Sequence, residues 1–249
     1  MLTTLLSGDY PRSRVLAVVL VAILAGLALA PFIFPGTRSL NVAARVAVFV
    51  LLVASYDLLL GYTGIVSFAH TMFFGIGGYG VGIAMAKLGA GWSSLALGIG
   101  LALLLSAVLA FAIGLLSLRV RAIFFAMITL AVASFFLILA SQLSWLTGGE
   151  DGVTYKLPEL LSPATKLMDA PIFGVEVNGR LLSYYLVFIA ALALFLVLLR
   201  VVNSPFGRVL LSIRENEFRS EALGYRIVSY RTAANCIGAL GATLAGALY

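Results

Sequence analysis

The sequence predicts an all-α membrane protein, a polytopic helical bundle with about seven transmembrane segments. Of its 249 residues, 62% are apolar and only 10% are charged, whereas soluble domains average roughly 45–50% and 25%. So little polar surface cannot cover a compact body that faces water on every side. A mean hydropathy of +1.12 agrees. The chain is therefore built for lipid as its solvent.

Composition also excludes several other classes of protein. Disordered chains are poor in aromatic residues, but 11% of this chain is aromatic. Cys236 has no second cysteine for a disulfide, and His70 is the only histidine, so these residue types offer no multidentate metal site. The net charge of +6 fits the basic excess of cytoplasmic loops better than it fits nucleic acid. We expect no metal, no cofactor and no nucleic-acid partner.

Seven stretches are long and apolar enough to cross a bilayer, which takes about 20 such residues. They cover residues 15–34, 41–60, 61 to about 87, 92–118, 122–146, 181–201 and 232–249. The first follows Arg12 and Arg14 and has no small-residue cleavage site, so we interpret it as an uncleaved helix. Pro31 and Pro35 mark its end.

Two polar stretches separate the later segments. Residues 147–180 hold five acidic and three basic side chains, and residues 200–231 hold six of the sixteen basic residues. The positive-inside rule places the second stretch in the cytosol. Counting crossings backwards then puts residues 147–180 outside the cell, and it puts Arg12, Arg14, Arg119 and Arg121 inside. We expect one transmembrane domain over residues 1–249, with a cytoplasmic N-terminus, a periplasmic loop at 147–180 and a cytoplasmic loop at 203–231.

The third stretch carries six glycines between residues 61 and 80. Each costs about 1 kcal/mol in a helix interior relative to alanine, so the pattern favours a broken helix. Non-helical backbone at membrane depth needs a protein or water-filled surrounding, and its free N–H groups can hold a carboxylate. The candidate lining residues of such a path are Thr63, Gly64, Ser67, His70, Gly75, Gly77 and Gly78. The alternative is tight helix packing, for which Gly61, Gly78 and Gly82 are suited.

A short amphipathic helix is predicted from Arg208 to Leu223. Pro205 and Gly207 break the preceding helix, and Gly224 suits a C-terminal cap. Its apolar side could meet lipid headgroups or a groove on a partner protein. Three glutamates offset its arginines and weaken attraction to anionic lipid, which favours the protein partner.

Motifs that carry catalysis are absent from the sequence. It has no Gly-x-Ser-x-Gly, no His-Glu-x-x-His and no Gly-x-x-x-x-Gly-Lys-Ser/Thr phosphate loop. An intramembrane enzyme would also need two cooperating reactive side chains at one depth. We therefore expect that this chain is not an enzyme. Any ATP that drives it would be hydrolysed on another chain.

Four ordered runs resemble the branched-chain amino-acid ABC transporter permease family, and within it the LivM-type subunit. They are GYTGIVSFAHTMFFGIGGY at 61–79, LRVRAIFFAMITL at 118–130, TGGEDG at 147–152, and SPFGR through IRENE to EALG over 204–224. Residues 1–60 fit only in hydropathy. Ala69 and Ala122 stand where the family more often has glycine, small for small.

The resemblance implies a multi-pass permease of the bacterial inner (plasma) membrane that imports branched-chain or other hydrophobic amino acids. Its partners would be a second related permease, two cytoplasmic ATPase subunits and a periplasmic substrate-binding protein. The loop at 203–231 would hold the coupling helix that docks on an ATPase. The residues of that contact would be Arg214, Glu215, Glu217, Arg219, Glu221, Ala222 and Gly224. Because family members continue through further helices, the chain is also expected to be truncated at its C-terminus.

Two other functions fit parts of the pattern. A urea or short-chain amide permease belongs to the same superfamily, and TGGEDG only weakly favours amino acids. An ion-coupled secondary transporter would need titratable groups facing a cavity, for which the membrane segments offer Asp57 and His70.

Overall fold

A computed structural model describes residues 14–33, 36–117, 122–162, 165 and 178–249. These residues form ten α-helices and no strand, which confirms the predicted all-α class. The helices are α1 (Arg14–Ile33), α2 (Thr37–Thr63), α3 (His70–Leu88), α4 (Trp92–Ser117), α5 (Ala122–Gln142), α6 (Ser144–Thr147), α7 (Gly179–Val202), α8 (Pro205–Glu215), α9 (Glu217–Ala222) and α10 (Ile227–Leu248). A 3-10 turn covers Glu159–Leu161.

Each of the seven predicted segments contains one long helix. Five of these helices are long and apolar enough to cross a membrane: Arg38–Thr63, His70–Leu88, Trp92–Leu115, Phe124–Gln142 and Gly179–Val202. In α1 the apolar part is the shorter run Ala17–Ile33. The last helix, α10, carries Arg231, Thr232 and Asn235 in its first half and is not among the five. The chain is a multi-pass helical membrane protein.

Pro31 lies inside the last turn of α1, which continues to Ile33. Because proline has no N–H, it leaves the carbonyl of Leu27 without its helical donor. The Tyr184 hydroxyl from α7 donates to that carbonyl, and Tyr185 donates to the carbonyl of Ala28 at 3.0 Å. Polar groups freed by a proline in lipid must be satisfied by neighbours. These two tyrosines therefore join the start of α7 to the end of α1.

The centre of the bundle is α10, which packs against α2, α3 and α4. Its buried face is built from small residues, so the neighbouring helices approach closely. The Asn235 side chain donates to the carbonyl of Ala110 at 2.8 Å, and Thr243 donates to Ser106 at 2.6 Å. Hydrogen bonds between helices hold such a small-residue contact in one register. These side chains tie the middle of α10 to α4 at two points.

Consecutive long helices run in opposite directions, so the bundle has two distinct ends. At one end Leu210 of α8 packs on Leu58 of α2 and Ala234 of α10. At the other end Tyr155, which follows α6, lies against Gly82 near the end of α3. The basic stretch 200–231 and the start of the acidic stretch therefore lie at opposite ends, as the crossing count requires. Which end faces the cytosol stays a prediction.

Parts of the sequence-based topology fall outside the described residues. They include Arg12, Arg119 and Arg121 and fourteen residues of the acidic stretch 147–180, at 163–164 and 166–177. For these positions the prediction stands as the sequence makes it.

Candidate functional site

The chain leaves helical geometry between α2 and α3. Gly64 caps α2 in the left-handed conformation, with φ at 71°, and α3 begins at His70. A left-handed C-cap strongly favours glycine because a Cβ is strained there. The predicted break thus exists, and it occupies residues 64–69. We call these residues the α2–α3 break.

The later glycines of this stretch do not interrupt the helix, as the alternative of tight packing predicts. α3 runs without a break through Gly75, Gly77 and Gly78. A Cβ on Gly77 would overlap the backbone carbonyl of Thr243, and one on Gly78 would lie 3.5 Å from the carbonyl of Gly246. The cost of glycine in a helix is offset here by close contact between backbones. Tight packing therefore explains Gly77, while Gly75 has open space around its Cβ position.

Three polar candidates of the α2–α3 break and its ends are buried inside the bundle. Thr63 is 2% exposed and donates to the carbonyl of Leu59 at 2.6 Å. Ser67 is 2% exposed and His70 is 5% exposed. Among the described residues, the Ser67 hydroxyl and both imidazole nitrogens have no hydrogen-bond partner of ordinary geometry. Buried polar groups normally have partners, so these two side chains are available to a polar ligand or water.

The surroundings of His70 are aromatic and close-packed. Its ring lies edge-on to Tyr56 at 5.2 Å between centroids, and near the backbone carbonyl of Ser55. A Cβ on Gly238 would lie 3.3 Å from Nε2 and 3.0 Å from that carbonyl. Gly238 is thus the residue of α10 that leaves room for the imidazole. This position brings α2, α3 and α10 together at one point.

An open groove runs between α2 and α7. It is lined mainly by apolar residues, with Asp57 and Tyr62 as its polar members, and by none of the predicted path residues. The candidate path and this groove are therefore separate features of the bundle.

Thr129 fixes the α2–α3 break near its second end, at Phe68, and was missed by the sequence-based reasoning. The N–H of Phe68 donates to the Thr129 hydroxyl at 3.1 Å, and that hydroxyl donates to the carbonyl of Ala126 at 2.9 Å. Thr129 is fully buried. Thr129 is the one threonine in the apolar run 122–146, which also holds three serines, and this was the available signal. The α2–α3 break is thereby held by α5.

Replacing Thr129 with Val should loosen the break. The change leaves the Phe68 N–H without its partner, at a cost of about 1–3 kcal/mol for a buried donor. We expect hydrogen exchange at the Phe68 amide to accelerate in proportion, while Thr129→Ser, which keeps the hydroxyl, stays close to wild type. Equal protection of this amide in the valine variant would show that Thr129 does not hold the segment.

The predicted amphipathic helix from Arg208 to Leu223 is in fact two helices. α8 ends at Glu215, Asn216 is extended, and α9 begins at Glu217. The Asn216 side chain accepts a hydrogen bond from the N–H of Arg219 at 2.9 Å. Asparagine is a strong N-cap residue and so restarts the helix in a new direction. The prediction of one helix was wrong because apolar spacing does not register this cap.

The apolar side of α8 belongs to this chain's own core. Leu210 is fully buried against Leu58, Leu59 and Ala234. That side is therefore not the surface that meets lipid or a partner. The most exposed apolar residues of this stretch are on and after α9, where Phe218 is 85% exposed and Leu223 is 68% exposed.

All seven predicted coupling residues are exposed at this end of the bundle. They are Arg214, Glu215, Glu217, Arg219, Glu221, Ala222 and Gly224. Two of them make contacts within the chain. Glu217 forms a bidentate ion pair with Arg231 of α10, at 2.9 and 3.1 Å, and Arg214 donates to the carbonyl of Gly61. Arg231 was not predicted, because nothing in the local pattern links it to Glu217.

Comparison with known proteins places these features in a family. Residues 38–249 match the family described as "Branched-chain amino acid transport system / permease component". The chain is 28% identical over 225 residues to a protein of Salmonella typhimurium named high-affinity branched-chain amino acid transport system permease protein LivM, covering 85% of this chain and 52% of that one. It is 29% identical over 153 residues to the probable LivM permease of Methanocaldococcus jannaschii, covering 60% and 41%.

The LivM permease of Escherichia coli is 25% identical over 226 residues, covering 85% of this chain and 52% of that one. The chain thus spans about half the length of the curated relatives it matches. No solved structure matches it.

Proposed function

The chain belongs to the branched-chain amino acid transport permease family, and from this premise we propose that it is a permease subunit of an ATP-binding-cassette importer. The solute would be a branched-chain or other hydrophobic amino acid, moved inward across a bacterial inner membrane. The family match over residues 38–249 is the observation that carries the proposal. The subunit itself would have no enzymatic role.

The partners follow from the same proposal. ATP would be hydrolysed by two cytoplasmic ATPase subunits, a second related permease would complete the path, and a periplasmic protein would deliver the solute. The N-terminus and residues 203–231 would be cytoplasmic, and residues 147–180 periplasmic, within one transmembrane domain over 1–249. The excess of arginine in residues 200–231 supports this orientation.

The geometry of α8 and α9 supports docking of an ATPase at this end. α8 is anchored through Leu210, while α9 holds Phe218 out from the bundle. An exposed aromatic side chain with charged neighbours, here Arg219 and Glu221, is typical of an anchor that enters a partner's pocket within a polar rim. We assign the primary contact to α9 and the turn after it, up to Gly224.

The polar side chains of the α2–α3 break support it as part of the solute path. Ser67 and the imidazole of His70 lie beside the start of α3, whose first N–H groups carry partial positive charge. Such a site suits the carboxylate of an amino acid. Thr63, Gly64 and Gly75 remain path candidates. Gly77 and Gly78 face α10 and would act through helix packing.

Replacing Phe218 with Ala tests the docking surface. We expect the amount of ATPase subunit that co-purifies to fall by at least about tenfold, the scale of an interface hot spot. Insertion and folding should be unaffected because Phe218 is 85% exposed. Trp145→Ala is a matched control, since Trp145 is 70% exposed at the opposite end of the bundle.

Four outcomes would contradict the proposal. Unchanged co-purification of the ATPase in the Phe218 variant removes α9 as the docking element. Loss of the ATPase in the Trp145 variant would place the docking surface at the end of the bundle opposite α9. Solute uptake by this chain in vesicles that lack ATPase subunits would favour the ion-coupled alternative. Competition of uptake by urea rather than leucine would favour the urea or short-chain amide permease.

A further inference from the structure

We propose that Arg214 is a positioning residue that passes movement of α9 to the α2–α3 break. This inference rests on the proposed function, because it assumes that α9 receives the ATPase. It goes beyond that function by naming the contact through which docking and the candidate path communicate. The carrying observation is that one side chain of α8 contacts both Gly61 and Gly64 at the end of α2.

The first contact is a hydrogen bond to helix backbone. Arg214 lies in the last turn of α8, and its Nη1 donates to the carbonyl of Gly61. The last carbonyls of a helix have no partner within it and carry partial negative charge. A guanidinium is therefore a strong partner for them. Arg214 binds the end of α2 through the main chain.

The second contact is close packing over the cap of α2. A Cβ on Gly64 would lie 3.2 Å from Cγ of Arg214, so the arginine stem covers this glycine. Gly64 is needed both for its left-handed backbone and for the space that the stem occupies. The residue where the break begins is thus held by a side chain from α8.

α8 and α9 are themselves joined where α8 ends. The hydroxyls of Ser212 and Ser220 lie 3.0 Å apart, and the Asn216 side chain caps α9. Displacement of α9 by a partner would therefore act on the last turn of α8, which contains Arg214. The ion pair of Glu217 with Arg231 connects α9 to α10 by a separate route.

The α2–α3 break is the element that can respond. Its six residues lie outside any helix, whereas α2 and α3 on either side are continuous helices. Thr129 of α5 holds Phe68 in place. A displacement of Gly64 therefore changes the backbone between residues 64 and 68. Ser67 lies within that segment, and His70 follows it. Movement at Arg214 thereby reorients Ser67, whose hydroxyl is an unpartnered polar group of the candidate path.

Arg208 provides a matched comparison. It is exposed on α8 six residues before Arg214, which is about 9 Å along the helix axis. The two arginines share charge, helix and exposure. A general effect of positive charge on ATPase docking would involve both residues, whereas the proposed role belongs to Arg214.

The test uses the complete transporter, with this subunit, the second permease, both ATPases and the binding protein in proteoliposomes. In Arg214→Gln we expect the ATPases to stay bound and ATP hydrolysis to continue, while solute taken up per ATP falls about tenfold, the scale of a lost charged hydrogen bond. The ATP-dependent change in hydrogen exchange at residues 64–69 should also disappear. Gly64→Ala should reproduce both effects from the other side of the contact. Arg214→Lys should restore part of the coupling, and Arg208→Gln should match wild type.

Three results would overturn the inference. One is a wild-type ratio of uptake to ATP in both Arg214→Gln and Gly64→Ala. Another is loss of the ATPase from Arg214→Gln, which would make the residue a docking contact. The third is an equal defect in Arg208→Gln. If Arg214→Gln fails to fold, Gly64→Ala and Arg214→Lys decide between the same outcomes. Failure of the proposed function is distinguishable, because wild-type transporter would then show no ATP-driven uptake at all.

Discussion

Gly77→Ala is expected to disrupt the bundle, while Gly75→Ala, two residues earlier on the same helix, leaves it intact. A Cβ at residue 77 would overlap the carbonyl of Thr243 and lie 2.9 Å from the backbone N of Ala247. Backbone on a neighbouring helix cannot move aside as a side chain can. Overpacking costs about 1–3 kcal/mol and occasionally more, and a clash with backbone places Gly77→Ala at the upper end of this range. A Cβ at residue 75 meets nothing within 4 Å.

Thermal denaturation in detergent, followed by size-exclusion chromatography, measures this difference. Gly77→Ala should elute largely as aggregate at temperatures where wild type is monodisperse. Gly75→Ala should equal or exceed wild type, because alanine is favoured over glycine in a helix by about 1 kcal/mol. Equal stability of the two variants would show that α3 and α10 do not touch at this point. Loss of stability in Gly75→Ala alone would show that residue 75, and not residue 77, faces α10.

The glycine cluster shows where reasoning from sequence reached its limit. A dense run of glycines is compatible with a broken helix or with close packing, and the choice depends on the surface opposite. That surface is α10, more than 160 residues later in the chain. The break, at residues 64–69, lies within the glycine-rich stretch 61–80 that the sequence singled out, but the sequence could not show that Gly77 belongs to a helix contact. Gly77 and Gly78 are consequently assigned to helix packing, and the candidate path centres on the α2–α3 break and its two ends.

The long helices were predictable for a local reason. Crossing a bilayer needs about 20 apolar residues in one run, and that property is visible without knowing any contact. Residues such as Thr129 and Arg231 gain their roles only from partners distant in the chain, Phe68 and Glu217. Asn216 is an intermediate case. A capping residue is a local signal, but the helical spacing of the apolar residues on both sides of Asn216 led to the prediction of one helix.

Leu210→Ala is expected to release α8 from the bundle. Leu210 is fully buried against Leu58, Leu59 and Ala234 at the end of the transmembrane helices. Truncating a buried leucine costs about 2–5 kcal/mol. This cost falls on a short helix with few other buried side chains, so we expect local detachment while α2, α7 and α10 stay assembled. Limited proteolysis between residues 203 and 224 and hydrogen exchange of α8 measure it.

Leu211→Ala is the matched control for Leu210→Ala. Leu211 is the next residue in the chain and is 37% exposed, so its truncation leaves a smaller cavity. If α8 is the anchor and α9 the docking element, Leu210→Ala should raise proteolysis of this stretch and weaken ATPase binding together. Phe218→Ala should weaken ATPase binding with no rise in proteolysis, because the Phe218 side chain is 85% exposed. Equal protease resistance in Leu210→Ala and Leu211→Ala would mean that other contacts hold α8. The two leucine variants therefore separate how the coupling segment is attached from what it binds.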